Sequence, residues 1–257
     1  MKKSFLAPLL LVAALAACGP APKELPPVRA TGTADALTVE LLAPDALHVG
    51  QNYVRYRVTQ SGAPVTRATL AQKPMMDMGT MKHACPLQNP ALEADADGLF
   101  DGLLVFSMPT VDMGKWTLDL EVTRDGETTP VKVSLGELTI ADSTLKQVVT
   151  RDGKKIVLTV GFAEKPHVGT NTIVVTAHSA KDMMMMEYVP VTDLAFTLTP
   201  EMPSMGHGSS GNLAPTLKDD QLYRGTVNFS MAGDWVVHLG VATGDTTHGT
   251  FDFPFDL

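Results

Sequence analysis

Cysteine, aromatic side chains, basic clusters and long apolar runs are all scarce in this sequence, and each scarcity excludes something. There are two cysteines, Cys18 and Cys85, and Cys18 closes the apolar N-terminal segment, so no disulfide framework is available to a mature chain whose first cysteine is used elsewhere. Aromatics amount to two Trp, four Tyr and nine Phe in 257 residues. Lys and Arg total 20 against 28 Asp and Glu, a formal charge of -8, and no basic cluster is large enough to neutralise several phosphates. A nucleic-acid surface is therefore not expected. Helical periodicity is absent outside the N-terminal segment. So are a His-Glu-x-x-His zinc pattern, a phosphate-cradling glycine loop and any singled-out pair of carboxylates, and Gly206-His207-Gly208-Ser209-Ser210-Gly211 lacks the spacing of a nucleophile elbow. An enzyme is not expected.

What is present is a β pattern. Val, Thr and Leu alternate with polar residues in short stretches separated by turn signals such as Asp125-Gly126, Asp152-Gly153 and Gly244-Asp245. The first residues are different. Met1-Lys2-Lys3 followed by the apolar run from Phe5 to Ala17 has the layout of an export signal and is too short for a membrane span. Leu15-Ala16-Ala17-Cys18-Gly19 resembles a bacterial lipobox. That resemblance implies a signal peptide over residues 1–17, diacylation of Cys18, and a proline-rich tether over 18–27. The expected location is the cell envelope, anchored to the membrane through Cys18. With no aspartate after the cysteine, the expected membrane is the outer one, facing the periplasm.

The remainder reads as two copies of one module, with a period of roughly 120 residues, the size of a small domain. His48-Val49-Gly50 with Asn52 matches His167-Val168-Gly169 with Asn171. Phe106-Ser107-Met108 matches Phe229-Ser230-Met231, and Gly114-Lys115-Trp116 matches Gly233-Asp234-Trp235. The two tryptophans thus occupy the same place in each copy, expected to be the middle of the core between facing sheets. Six or seven alternating strands per copy predict two tandem immunoglobulin-like β-sandwich domains, over 28–142 and 143–257.

Each copy carries a methionine cluster among prolines and glycines, read here as a loop outside the core. In the first, Pro74-Met75-Met76-Asp77-Met78-Gly79-Thr80-Met81-Lys82-His83-Ala84-Cys85-Pro86 follows a strand expected at about Val65 to Leu70; in the second the cluster is Pro200-Glu201-Met202-Pro203-Ser204-Met205-Gly206-His207-Gly208. A thioether is a soft, neutral donor that favours Cu(I) over hard cations, and it cannot oxidise to a disulfide in an oxidising compartment. The expected ligands are Met75, Met78, Met81 and His83 in one copy and Met202, Met205 and His207 in the other. Met76, Cys85, Met184 and Met186 are possible additions. Aligning Met78-Gly79 on Met205-Gly206 places His207 opposite Thr80, so the two sites are expected to differ. Methionines filling an irregular core gap, or a mobile loop serving as an oxidant sink, are the competing readings. For the run Met183-Met184-Met185-Met186, core filling by one pair competes with a surface role. His48 and His167 read as turn residues, His238 as solvent-facing, and His178 as a weak ligand candidate.

Pro200 to Gly208, followed by Leu222-Tyr223-x-Gly225, Phe229-x-Met231 and Gly233-x-Trp235, is similar to the YtkA-like or FixH-like family of small bacterial envelope domains. The resemblance implies an immunoglobulin-like β fold, membrane attachment, and an association with copper handling or respiratory oxidase assembly. The expectation for the whole chain is a lipid-anchored Cu(I)-binding protein that buffers copper or passes it to an exchange or oxidase-assembly partner. The alternative is an adhesion or assembly module that grips a protein partner through its methionine-rich loops without metal.

Overall fold

The computed structural model describes residues 24–112, 114–181 and 187–257. Cys18, Met113 and the run Met183 to Met186, with the possible ligands Met184 and Met186, lie outside the described residues.

Among the described residues all regular structure is β. The first ten strands are β1 (Val28–Ala34), β2 (Leu37–Leu42), β3 (Gly50–Gln60), β4 (Ala63–Pro64), β5 (Ala68–Asp77), β6 (Lys82–His83), β7 (Leu87–Gln88), β8 (Leu99–Phe106), β9 (Lys115–Arg124) and β10 (Val131–Leu138). They form two antiparallel sheets, ordered β1-β2-β3-β8-β7 with β4 beside β3, and β10-β9-β5-β6. The next ten repeat the plan: β11 (Lys146–Arg151), β12 (Lys154–Phe162), β13 (Gly169–Ala180), β14 (Tyr188–Pro190), β15 (Ala195–Met202), β16 (His207–Gly208), β17 (Leu213–Leu217), β18 (Tyr223–Phe229), β19 (Asp234–Thr243) and β20 (Thr246–Asp256). Their sheets run β11-β12-β13-β18-β17, with β14 beside β13, and β16-β15-β19-β20. Each pair of sheets closes on its own core as an immunoglobulin-like sandwich. Alternation writes the cores directly: β9 and β19 share one in-out burial pattern, turning Trp116, Leu118, Leu120 and Val122 inward in one and Trp235, Val237, Leu239 and Val241 in the other.

The repeated His-Val-Gly-x-Asn motif is a backbone clamp. Asn52 accepts from the His48 amide (2.9 Å) and donates to the His48 carbonyl (2.7 Å), and Asn171 does the same to His167 at 2.9 and 2.7 Å. The intervening Gly50 and Gly169 sit at φ +104° and +108°, a region open to glycine. This satisfies the polar groups of the turn that starts β3 and β13.

The two sandwiches pack through the outer faces of their larger sheets. Leu103 and Val105 of the first, with Tyr53 beside them, meet Val174 and Leu222 of the second in a separate apolar cluster. The buried Gln51 amide donates across the junction to the Thr159 carbonyl (3.1 Å) and the Val174 carbonyl (3.0 Å), filling space that a side chain at Gly161 would take. Lys146 donates to the Ser107 carbonyl (2.6 Å), and Gln88 to the Asp220 carbonyl (2.6 Å).

Candidate functional site

The methionine clusters turn out to be hairpins rather than loops outside the core. Strand β5 does not stop near Leu70 but runs through Pro74, Met75 and Met76 to Asp77, paired with β9 along its length. Proline is tolerated there because of where its missing N–H falls. The Gln72 amide, two residues earlier on the same edge, points away from β9 and bonds the Asn89 side chain (2.8 Å), so Pro74 removes no bond from the β5–β9 ladder.

Strand alternation then separates the methionines. Met76 points inward and is fully buried, whereas Met75 lies on the other face with Lys73 and Asp77. Met76 pairs across β9 with Trp116 and across β6 with His83. In the second sandwich Met202 occupies the same node: it lies one position beyond the Glu201–Val236 pair, level with Trp235, and pairs across β16 with His207. The equivalent residues are therefore Pro74 and Pro200, Met76 and Met202, His83 and His207. This corrects the alignment on Met78-Gly79 and Met205-Gly206. The hairpins differ in length, with six residues between Met76 and His83 and four between Met202 and His207, so matching their tips shifts the histidines out of phase.

The repeated arrangement around each tryptophan has a packing cause. The Trp116 indole N–H donates to the Met108 carbonyl and that of Trp235 to the Met231 carbonyl, both at 2.9 Å. Phe106 meets Trp116 edge-on at 5.0 Å and Phe229 lies 5.4 Å from Trp235. Each tryptophan is near the start of its strand, so it fills the end of the core below the hairpin rather than the middle of the sandwich. The preceding glycines make room for methionine. A Cβ on Gly114 would lie 2.6 Å from the Met76 methyl and 3.5 Å from Met78 Cγ; a Cβ on Gly233 would lie 2.2 Å from the Met202 methyl.

At the hairpin tips the two copies diverge. Met78 packs partly against the core and Met81 is exposed, while the Gly79 amide (2.8 Å) and then Lys82 (3.1 Å) hold the Asp77 carboxyl below the usual range. In the second copy the Ser204 hydroxyl and amide bond Asp234 and lower its pKa, while Met205 is 60% exposed. The His207 ring stands 5.9 Å from Trp235, edge to face, and its Nδ1 bonds the Gly208 carbonyl at 2.9 Å. A carbonyl can only accept, so Nδ1 carries a proton, and in the neutral tautomer this selects, Nε2 holds the lone pair.

The structure therefore gathers Met76, Met78 and His83 around Trp116, and Met202 and His207 around Trp235, with Met81 and Met205 at the tips. Met75 faces away. Cys85 is a core residue beside Tyr56, and burial pushes its thiol well above the ordinary value, so it is a small apolar filler that resists becoming a thiolate. Residues flanking the Met183–Met186 run, Ala180 and Tyr188, pair with each other at the opposite end of the second sandwich. Among the described residues no three His, Cys, Asp or Glu side chains are grouped to hold a metal ion, so a metal at either end would depend on thioether sulfur. His178 is buried, its Nδ1 has no hydrogen-bond partner among the described residues, and desolvation lowers its pKa to about 4. His238 faces outward as expected from alternation, but it is held between Asp252 (2.7 Å) and Glu201 (3.2 Å) and its pKa is raised.

Residues 149–240 match the YtkA-like family, a span that includes the β15–β16 hairpin, Met231, Gly233 and Trp235. The second module is a YtkA-like domain. No curated protein matches the chain. Among solved structures it is similar to the Escherichia coli adhesin FdeC, with 17% identity and a TM-score of 0.28 over 88% of this chain and 65% of that one. It is also similar to the Yersinia pseudotuberculosis adhesin InvE, with 15% identity and a TM-score of 0.26 over 89% of this chain and 61% of that one. A third similarity is to the D0-D1 domain of intimin, at 12% identity and a TM-score of 0.27, over 88% of this chain and all of that one. The chain thus spans less than two thirds of the length of the first two. The first module, outside the matched residues, repeats the YtkA-like module's arrangement of methionine, histidine, tryptophan and glycine, register for register.

Proposed function

We propose that this is an envelope copper-binding protein, anchored to the membrane through lipidated Cys18, that carries Cu(I) as cargo at the methionine ends of its two sandwiches and passes it on by ligand exchange. The observation that carries the reading is the duplicated node itself. In each module a buried methionine and a histidine face each other across a two-strand pairing, next to an indole. Met202, Met205 and His207 would hold the ion in the second module, and Met76, Met78, Met81 and His83 in the first. The donor set fits: thioethers favour Cu(I), and the His207 ring is oriented by its Nδ1–H bond so that Nε2 is the free donor. The indole edge of the site adds an attractive face for a monovalent cation.

The two modules differ in access. Met76 and His83 are both buried, whereas His207 is half-buried and Met205 projects into solvent. The second module is accordingly the faster to exchange, and the first the more retentive. No catalytic step is assigned to the protein. Exposure of Met81 and Met205 also favours a second reading, a non-metal assembly module that grips a protein partner through the same tips.

Tryptophan emission separates these. Adding Cu(I) anaerobically to the soluble fragment after Cys18 should quench both indoles. The volume-conserving variant M202L/M205L/H207F should keep its β-sheet circular dichroism and lose the Trp235 share of the quenching. Copper binding with unchanged quenching in that variant would move the site elsewhere, and absence of any Cu(I) response would favour the partner-binding reading.

A further inference from the structure

The chain enters the first sandwich at the same end as the methionines. The β1–β2 turn at Asp35-Ala36 lies at the Gln60 end of β3, where the Ser61 amide bonds the Ala36 carbonyl (2.9 Å). The start of β1 is therefore at the other end, that of Gly50 and its partner Phe106, which packs on Trp116. Residues 24–27 continue in this direction alongside the β2–β3 loop: the Pro27 carbonyl accepts from the Ala43 amide (3.1 Å), and Arg29 donates to the carbonyls of Ala43 (3.0 Å) and Pro44 (2.9 Å).

The second sandwich points the same way. Gln51, next to Gly50, meets Val174, and Gln88, further from that end, meets Asp220, which lies beyond the Val175–Tyr223 pair and away from Gly169 and Phe229. The loops at the two methionine ends also meet. Ala43 to Ala46 with His48, and Ala163 to Pro166, together line a cleft of about 320 Å³ between the modules. One side of the molecule thus holds the chain entry, both hairpins and both His-Val-Gly turns.

That side holds the exposed apolar side chains Met81, Val111, Val168, Met205 and Met231, while others, among them Leu92, Val189 and Leu217, lie away from it. Acidic turns occur at both ends, with Asp45, Asp112 and Glu164 on this side and Asp35, Asp125, Glu127, Asp152 and Asp245 on the opposite one, so the apolar tips and the chain entry, rather than charge, distinguish this side. Glu24 is the sixth residue after Cys18, a reach of at most about 22 Å at about 3.3–3.6 Å per residue.

We infer that the protein stands on the membrane by this end, with Met81, Val111 and Met205 against the lipid headgroups, so that both methionine hairpins face the bilayer surface. The inference rests on the lipid anchor in the proposed function and on no metal. The apolar tips contribute a weak interfacial contact, and the short tether makes that contact intramolecular. Copper exchange then takes place at the membrane surface rather than in the bulk compartment.

The test uses the full lipidated chain on phosphatidylcholine vesicles containing an acceptor-labelled phosphatidylethanolamine. A donor dye is attached at V168C on the near side or at D245C on the far side, two exposed positions outside the proposed ligand set; the buried Cys85 thiol stays unlabelled. Ten-residue strands such as β19 separate the ends by about 33 Å, so energy transfer from V168C should exceed that from D245C by about twofold or more. Equal or reversed transfer from a chain that floats with the vesicles overturns the orientation and leaves the anchor intact. A chain that does not float removes the anchor, and the inference with it.

Discussion

Two histidines that the sequence ranked low are the most strongly perturbed side chains of their kind, and they act in opposite directions. Among the described residues the buried His178 Nδ1 has no hydrogen-bond partner, and desolvation lowers the pKa of the ring from 6.5 to about 4, so the neutral ring is favoured in the fold. A depressed pKa contributes stability that is complete above the unfolded value and is lost as pH falls through the folded one. The window is therefore pH 6.5 down to about 4, and the loss approaches about 3 kcal/mol. Urea midpoints measured across this window should fall for the wild type and fall less for H178F. An identical pH dependence in the two would show that His178 does not titrate as its burial demands. His238, bonded first by Asp252 and then by Glu201, has a raised pKa and works the other way: its contribution is present below about 6.5 and fades as pH rises through the folded value. Cys85 shows the same logic in a thiol, since burial makes it the least available soft donor near the site.

At the scale of elements, the hairpins hold the account together, and they also show what could be read beforehand. Strand alternation, the repeat, the tryptophan pairing and the His-Val-Gly turns were legible because each leaves a local periodic or duplicated mark. The end of β5 was not, because Pro74 reads as a strand breaker unless its open edge is known. The equivalence of His83 and His207 was hidden by a two-residue difference in hairpin length that only the cross-strand register reveals. Met76 looked like a spare ligand, although its in-out phase with Gln72 and Pro74 marked it as inward. The glycines before the tryptophans are what keep the methionines seated. Gly233 has φ +139° and lies under the Met202 methyl, so G233A adds backbone strain to a clash and should cost about 2 kcal/mol or more. Gly114 suffers the clash without the positive φ, so G114A should cost about 1 kcal/mol. Chemical denaturation of both variants checks the order, and equal costs would show that the φ of Gly233 is not a constraint.

At the scale of the molecule, the junction makes two modules behave as one. Val174 is fully buried between Leu103, Val105 and Leu222, and Gln51 spends its amide on carbonyls of the other module. A charge there has no partner, so V174D should cost about 3 kcal/mol if the junction stays closed, or open it. Calorimetry should then resolve two thermal transitions where the wild type gives one. A single unshifted transition would mean that the interface does not couple the modules. Under the proposed function the coupling matters because it holds both methionine ends on one side of the molecule, next to the chain entry.

The most direct measurement of the central claim is an anaerobic Cu(I) competition titration of the soluble fragment against a chromophoric chelator, read alongside M202L/M205L/H207F and M76L/M81L/H83F. The account predicts about two equivalents bound by the wild type and one by each variant, one site per module. Wild-type protein that fails to compete even with a weak chelator, or variants that keep both equivalents, would contradict it.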